Sequence, residues 1–152
     1  MPQWKVLEIF NRFGVGDFVK VETKSTPCMD LPKFRRRSAT TDAPLIAAYA
    51  CKSKNGFAVF VISRKVDGYP IKGDDGYTPV TLNLPFKTAK KVTLYKMDNN
   101  LRDHNLDADV VKIKTQEISV KRDISKFIIN DKTGATARGV APGSVYCYVF
   151  DL

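Results

Sequence analysis

Histidine is nearly absent from this chain and cysteine is scarce. His104 stands alone among 152 residues, and Cys28, Cys51 and Cys147 are odd in number and far apart. No C-x-x-C spacing occurs and no cysteine lies near His104, so structural zinc and a disulfide framework both lose their basis. Cys51 and Cys147 fall inside apolar strand patterns, where a thiol acts as a small buried hydrophobe. There is no G-x-S-x-G, and no Ser or Cys has a candidate base other than His104, which argues against nucleophilic hydrolysis. No apolar run approaches the ~20 residues of a membrane-spanning helix. The opening Met1-Pro2-Gln3-Trp4-Lys5-Val6-Leu7 lacks the charged, apolar and small-residue regions of a signal peptide. No membrane partner and no cofactor are expected.

Acidic residues are also in deficit, 16 against 25 Lys and Arg, for a formal charge of +9. Basic residues are scattered along the chain except at Lys33-Phe34-Arg35-Arg36-Arg37, in a stretch flanked by prolines. A nucleic-acid patch is one reading of that cluster. A solvated loop, or a contact to an acidic neighbour, accounts for it as well.

The chain is long enough for one domain with its own core. Its centre is a hairpin over Leu45 to Arg64, two β-branched and aromatic runs around Lys54-Asn55-Gly56. Asn55-Gly56 reads as a type I′ turn, which sets Cys51 opposite Phe60, Tyr49 opposite Ile62 and Ala50 opposite Val61. Phe57 to Ile62 is apolar without a break, so both faces of that strand should be covered.

Pro2 to Phe13 predicts a short helix. Val6, Ile9, Phe10 and Phe13 follow helical spacing, Trp4 and Leu7 widen the stripe, and Gly14 and Gly16 stop it. Six large apolar residues on a helix too short to stand alone call for a substantial partner surface. Strands are expected within Gly16–Thr23, Pro79–Leu84, Lys91–Met97, Val110–Val120, Ser125–Asn130 and Val145–Phe150, and Lys24 to Pro44 reads as extended or looping chain with room for a short edge strand. About eight strands behind one helix describe an all-β, antiparallel, jelly-roll-like sandwich.

Chemistry is sparse. Asp74-Asp75 and the group Asp98, Asp103, Asp107 and Asp109 lie in turn-forming stretches, where Asp serves the turn. Asp103-His104-Asn105-Leu106-Asp107 opens like a calcium loop, but Ala108 replaces the required Gly and Lys114 the bidentate Glu, so no metal site is assigned. Tyr69 and Tyr77, in the polar 65–78 loop, are the candidates for stacking on sugar rings.

Taken in order, Trp4, Asn11-Arg12, Gly16-Asp17, Val19-Lys20-Val21-Glu22, Ala43-Pro44-Leu45, Ala48-Tyr49-Ala50 and Val59 to Arg64 resemble the C-terminal part of α-L-arabinofuranosidases and related clan-A glycoside hydrolases. Pro79 to Leu84, Val92 to Tyr95, Asn105 to Asp107, Ala141 to Tyr146 and Val149-Phe150 continue the resemblance over nearly the whole chain. It implies that residues 1–13 correspond to the last helix of a missing catalytic (β/α)8 barrel and residues 14–152 to the β-sandwich that follows. Trp4, Leu7, Phe10 and Phe13 would then meet the barrel. The family's catalytic pair, a Glu after an Asn and a nucleophilic Glu, belongs to the barrel, and no Asn-Glu dipeptide occurs here. No catalytic residue is therefore expected in this chain, and its parent would be a glycosidase acting on arabinose-containing polysaccharide. Further partners consistent with the resemblance are a second copy of the chain and the polysaccharide itself. Two rival readings stand beside it: an independent carbohydrate-binding module using Tyr69 and Tyr77, and a basic nucleic-acid-binding β-fold centred on Arg35 to Arg37.

Overall fold

The computed structural model describes residues 2–65, 76–98, 111–120, 123–130, 132–133, 136–137 and 139–152. Tyr69, Asp74, Asp75, Asp103, His104, Asp107 and Asp109 lie outside them. Helix α1 (Pro2–Phe13) is followed by strands β1 (Asp17–Val19), β2 (Cys28–Leu31), β3 (Thr40–Pro44), β4 (Ile46–Ser53), β5 (Gly56–Ser63), β6 (Val80–Asn83) and β7 (Lys91–Met97). Then come β8 (Lys114–Ile118), β9 (Lys126–Ile129), β10 (Lys132–Thr133), β11 (Thr136–Ala137) and β12 (Val145–Asp151). Twelve strands among the described residues exceed the expected eight, the surplus being short pieces of two to five residues.

Six strands form one antiparallel sheet in the order β1-β4-β5-β12-β7-β8. Side chains alternate across it, so the sheet has two covered faces. Ala50, Val59, Val61, Val92, Leu94, Tyr146, Tyr148 and Phe150 point to one face and bury against Leu82, Ile129, Val140 and the flanking Leu84, Phe86 and Phe127. Most of that second layer comes from the β6–β9 pair and its connections. Cys51, Ala58, Phe60, Met97 and Cys147 point to the other face and pack against Val6, Ile9, Phe10 and Phe13 of α1. Coverage from both sides is why β5 and β12 are apolar without alternation.

The central hairpin is two residues out of the expected register. Ser53 pairs with Gly56, Cys51 with Ala58, Tyr49 with Phe60 and Ala50 with Val59. The loop is Lys54-Asn55, and neither residue has positive φ, so the type I′ turn is not formed. A shift of two preserves the side on which each residue lies, and the division of faces stands. Gly56 belongs instead to the strand, where it is squeezed against the backbone of β12.

Cys51 and Cys147 are buried and unpaired, and burial pushes the Cys147 thiol up to about 12, with a smaller contribution from Cys51. Tyr146, fully buried, accepts a hydrogen bond through its hydroxyl from Ala141 N at 3.3 Å. Ser144 Oγ donates to Ala141 O, closing the turn that launches β12.

Polar contacts pin β7 to β8, with Lys91 Nζ 3.0 Å from Glu117 Oε1 at one end and Asp98 at the other. Lys96 and Lys114 are direct cross-strand partners, a like-charge pairing that alone would destabilise the sheet. Asp98 resolves it, with Lys96 Nζ at 3.0 Å and Lys114 Nζ at 2.5 Å. Burial opposes ionisation of Asp98, but hydrogen bonds to Lys114 and Lys96 outweigh it, and its pKa lies below the ordinary carboxylate value. A depressed folded pKa gives stability that is present above the unfolded value near 3.9 and lost as pH falls through the folded one. Asp98→Asn removes the charge the two lysines share, and because Lys114 is about half exposed to solvent the loss at pH 7 should be about 1 kcal/mol by urea unfolding. The difference between the two proteins should shrink below about pH 4. A gap that stays constant down to pH 2 would show that the contact carries no such stability.

Candidate functional site

Helix α1 is apolar around most of its circumference, and its sheet can cover only part of that. At 100° per residue, Ile9, Phe13, Val6 and Phe10 span one arc, and this arc meets the sheet. Ile9 is the fully buried member. Phe10 stacks on Phe60 with centroids 4.3 Å apart and meets Tyr49 edge-on at 6.5 Å. Phe13 lies 4.2 Å from the Tyr95 ring. Gly14 N donates to Phe10 O at 2.7 Å and ends the helix.

The four residues expected at a barrel interface thus divide. Phe10 and Phe13 are half-buried in this chain's own core, whereas Trp4 and Leu7 point away from it, 68% and 48% exposed. The reason is the width of the apolar stripe: a helix apolar over more than half its circumference does not disclose which part of that stripe its own sheet will take. On the flank beside Leu7 and Phe10, the sheet continues the apolar surface. Tyr49 of β4 is half-exposed, and Phe18 of edge strand β1, 81% exposed, pairs with Cys51 and so shares the face that carries the helix. Val15, in the connection from α1 to β1, is exposed as well. The opposite flank is charged. Arg12 lies over the rings of Phe13 and Tyr95 at 5.1 and 5.4 Å, and Lys5 pairs with Glu8 at 3.6 Å.

Sequence reasoning missed Phe18 and Tyr49 as parts of this surface. The signal was there in Phe18-Val19: adjacent large residues on a strand point to opposite faces.

Tyr77, the described member of the sugar-stacking pair, is half-buried with its ring against the main core. Arg35, Arg36 and Arg37 lie at the tip of the β2–β3 hairpin, exposed. Asp98 is the described member of its acidic group and is held between two lysines. Among the described residues no three His, Cys, Asp or Glu side chains come together as a metal site would need. A cavity of about 140 Å³ beneath the C-terminal end of α1 is lined by Arg12, Phe13, Cys51, Phe57 and Val149 among others. What the arrangement offers is a surface: unpartnered apolar area shared by helix and sheet edge, with one charged margin.

The class of domain so defined is an antiparallel β-sandwich carrying an N-terminal helix across one outer face. Solved α-L-arabinofuranosidases contain this fold. One arabinofuranosidase structure superposes on 99% of this chain with a TM-score of 0.64, at 20% identity, over 29% of its own length. The GH51 α-L-arabinofuranosidase of Thermotoga petrophila RKU-1 covers 83% of the chain at TM-score 0.55 and 20% identity, over 24% of its length. The α-L-arabinofuranosidase of Thermotoga maritima, in complex with arabinose, covers 75% at TM-score 0.53 and 20% identity, over 20% of its length. This chain therefore spans between a fifth and three tenths of those enzymes, and at this identity the likeness is one of fold. No protein-family model and no curated protein sequence matches it.

Proposed function

We propose that this chain is the accessory β-sandwich of an arabinofuranosidase-like glycoside hydrolase, and that its outer face docks the enzyme's catalytic (β/α)8 barrel. The supporting observation is a coincidence: a fold shared with a minor part of arabinofuranosidase chains carries an apolar face that its own core does not use. Trp4 and Leu7 are the anchors, with Phe18 and Tyr49 extending the contact. Tryptophan in the middle of an interface is the residue type that most often dominates its binding energy. Arg12 and Glu8 would form the polar rim. Chemistry would be confined to the barrel, and the sandwich would stabilise it and help shape the margin of the substrate cleft.

The test is association between this chain and the barrel encoded with it, produced as separate polypeptides. Titration calorimetry should give a complex. Trp4→Ala combined with Leu7→Ala should weaken it about 100-fold, while the melting temperature of the isolated chain stays within about 2 °C because both residues are exposed. Absence of a complex, or a complex indifferent to the double substitution, would overturn the docking face.

A further inference from the structure

The β2–β3 hairpin forms a two-stranded sheet separate from the sandwich, rooted by Leu45 N donating to Pro27 O at 2.8 Å and mostly exposed along both strands. At its tip, Phe34 and Arg37 exchange both backbone hydrogen bonds across a two-residue turn, Arg35-Arg36. Arg35 takes φ of +53°, the left-handed region where a glycine sits without strain. The chain instead places a guanidinium there, 5.3 Å from the centroid of the Phe34 ring, which is 66% exposed. Phe34, Arg35, Arg36 and Arg37 line an open hollow of about 450 Å³. Among the described residues, neither Lys33 nor any of the three arginines forms an ion pair. The hairpin's own carboxylates do not neutralise them. Asp30 accepts a hydrogen bond from Asp42 N at 3.0 Å, holding a bulge where the register shifts in the stem.

We propose that this tip binds a carboxylate-bearing polysaccharide, one whose sugar rings are uronic acids; the proposal rests on the reading of the chain as part of a polysaccharide-degrading enzyme. A uronic acid presents a C–H ring face and a carboxylate within one sugar width. An aromatic ring beside several guanidinium forks matches that pair, the ring taking the sugar face and the forks the carboxylates in bidentate fashion. A nucleic acid fits less well. Its backbone requires a basic stripe over several phosphates, and here the cations end within five residues while Asp30 and Asp42 follow along the stem. Strain held at Arg35 is consistent with a side chain fixed in place for recognition.

Affinity electrophoresis of the whole 152-residue chain tests this, with polygalacturonate, its methyl-esterified form, linear arabinan and duplex DNA in parallel gels. Polygalacturonate should retard the protein, with an apparent affinity about tenfold above that of the esterified polymer, which keeps the sugar face and loses the charge. Arg35→Gln with Arg37→Gln should lose about tenfold, Phe34→Ala several-fold, and Arg35→Lys with Arg37→Lys should lose part of the binding although charge is kept. Equal binding to the esterified polymer would overturn the proposal, as would full retention by the lysine variant. Duplex DNA binding as tight as polygalacturonate, and indifferent to Phe34→Ala, would show a general polyanion site instead. The polymer comparison uses the native protein, so it stands even if a variant fails to fold. The Trp4→Ala, Leu7→Ala protein should still be retarded, which separates this result from the barrel-docking one.

Discussion

Phe60→Ala is expected to lower the unfolding free energy of this domain by about 4 kcal/mol, the largest effect of any single substitution on the helix side of the sheet. Phe60 is fully buried on β5, the strand between β4 and β12, and its ring is the floor on which Phe10 stacks in near-parallel planes, 9° apart. Truncation removes the transfer free energy of the ring and leaves a cavity that β4 and β12, paired along its whole length, cannot close. Part of the loss belongs to the pairing of the two rings. A double-mutant cycle with Phe10→Ala should return a coupling of about 1 kcal/mol, beyond what the buried area alone supplies. Urea unfolding measures all four proteins. A cost for Phe60→Ala below about 1.5 kcal/mol, with no coupling to Phe10, would mean that the helix does not rest on this sheet in solution.

That expectation depends on the helix using only part of its apolar surface at home, and here the sequence was partly legible. The helix itself was readable from spacing and from Gly14, and the unbroken run from Phe57 to Ile62 was enough to require cover on both faces of β5. The assignment of arcs was not readable. Val6, Ile9, Phe10 and Phe13 differ from Trp4 and Leu7 by rotation about an axis, and the sheet that chooses between them is assembled from strands as distant in the chain as β12, Val145–Asp151. Ile9, the most buried residue of the helix, drew no more notice from periodicity than its neighbours. In Lys24 to Pro44 the prolines suggest extended chain and a short edge strand, but the pairing of β2 with β3 was not readable, for a different reason. The two strands are short and exposed, carry no alternation, and are stabilised by a backbone bulge capped by Asp30 rather than by a hydrophobic face. The arginine run was conspicuous from the start, but only the turn geometry shows the Arg35 guanidinium set over the Phe34 ring, with Arg36 and Arg37 lining the same hollow.

Gly56→Ala should cost about 3 kcal/mol, and it discriminates between two reasons for having glycine at that position. A type I′ turn at Asn55-Gly56 would need positive φ at both residues, so Asn55→Ala and Gly56→Ala would each lose about 1 kcal/mol through local strain. The observed hairpin turns at Lys54-Asn55 with negative φ, and Gly56 pairs on one side with Ser53 and on the other with Asp151. A methyl group there would collide with the Phe150 carbonyl oxygen and stand 3.0 Å from its carbon, both of them backbone atoms in a strand paired on both sides. Neither strand can yield without breaking its ladder, so the cost is that of forcing extra volume into a packed interior rather than of a bent turn. Asn55→Ala should then stay within about 0.5 kcal/mol of the native protein, because the contact Asn55 makes with the C-terminus, Leu152 N to Asn55 O at 3.0 Å, uses only its backbone. Equal losses at the two positions would restore the type I′ turn and with it the register two residues away. A large loss at Gly56 alone places the constraint in β12, at the far end of the chain, which is why no local reading of Asn-Gly could have found it.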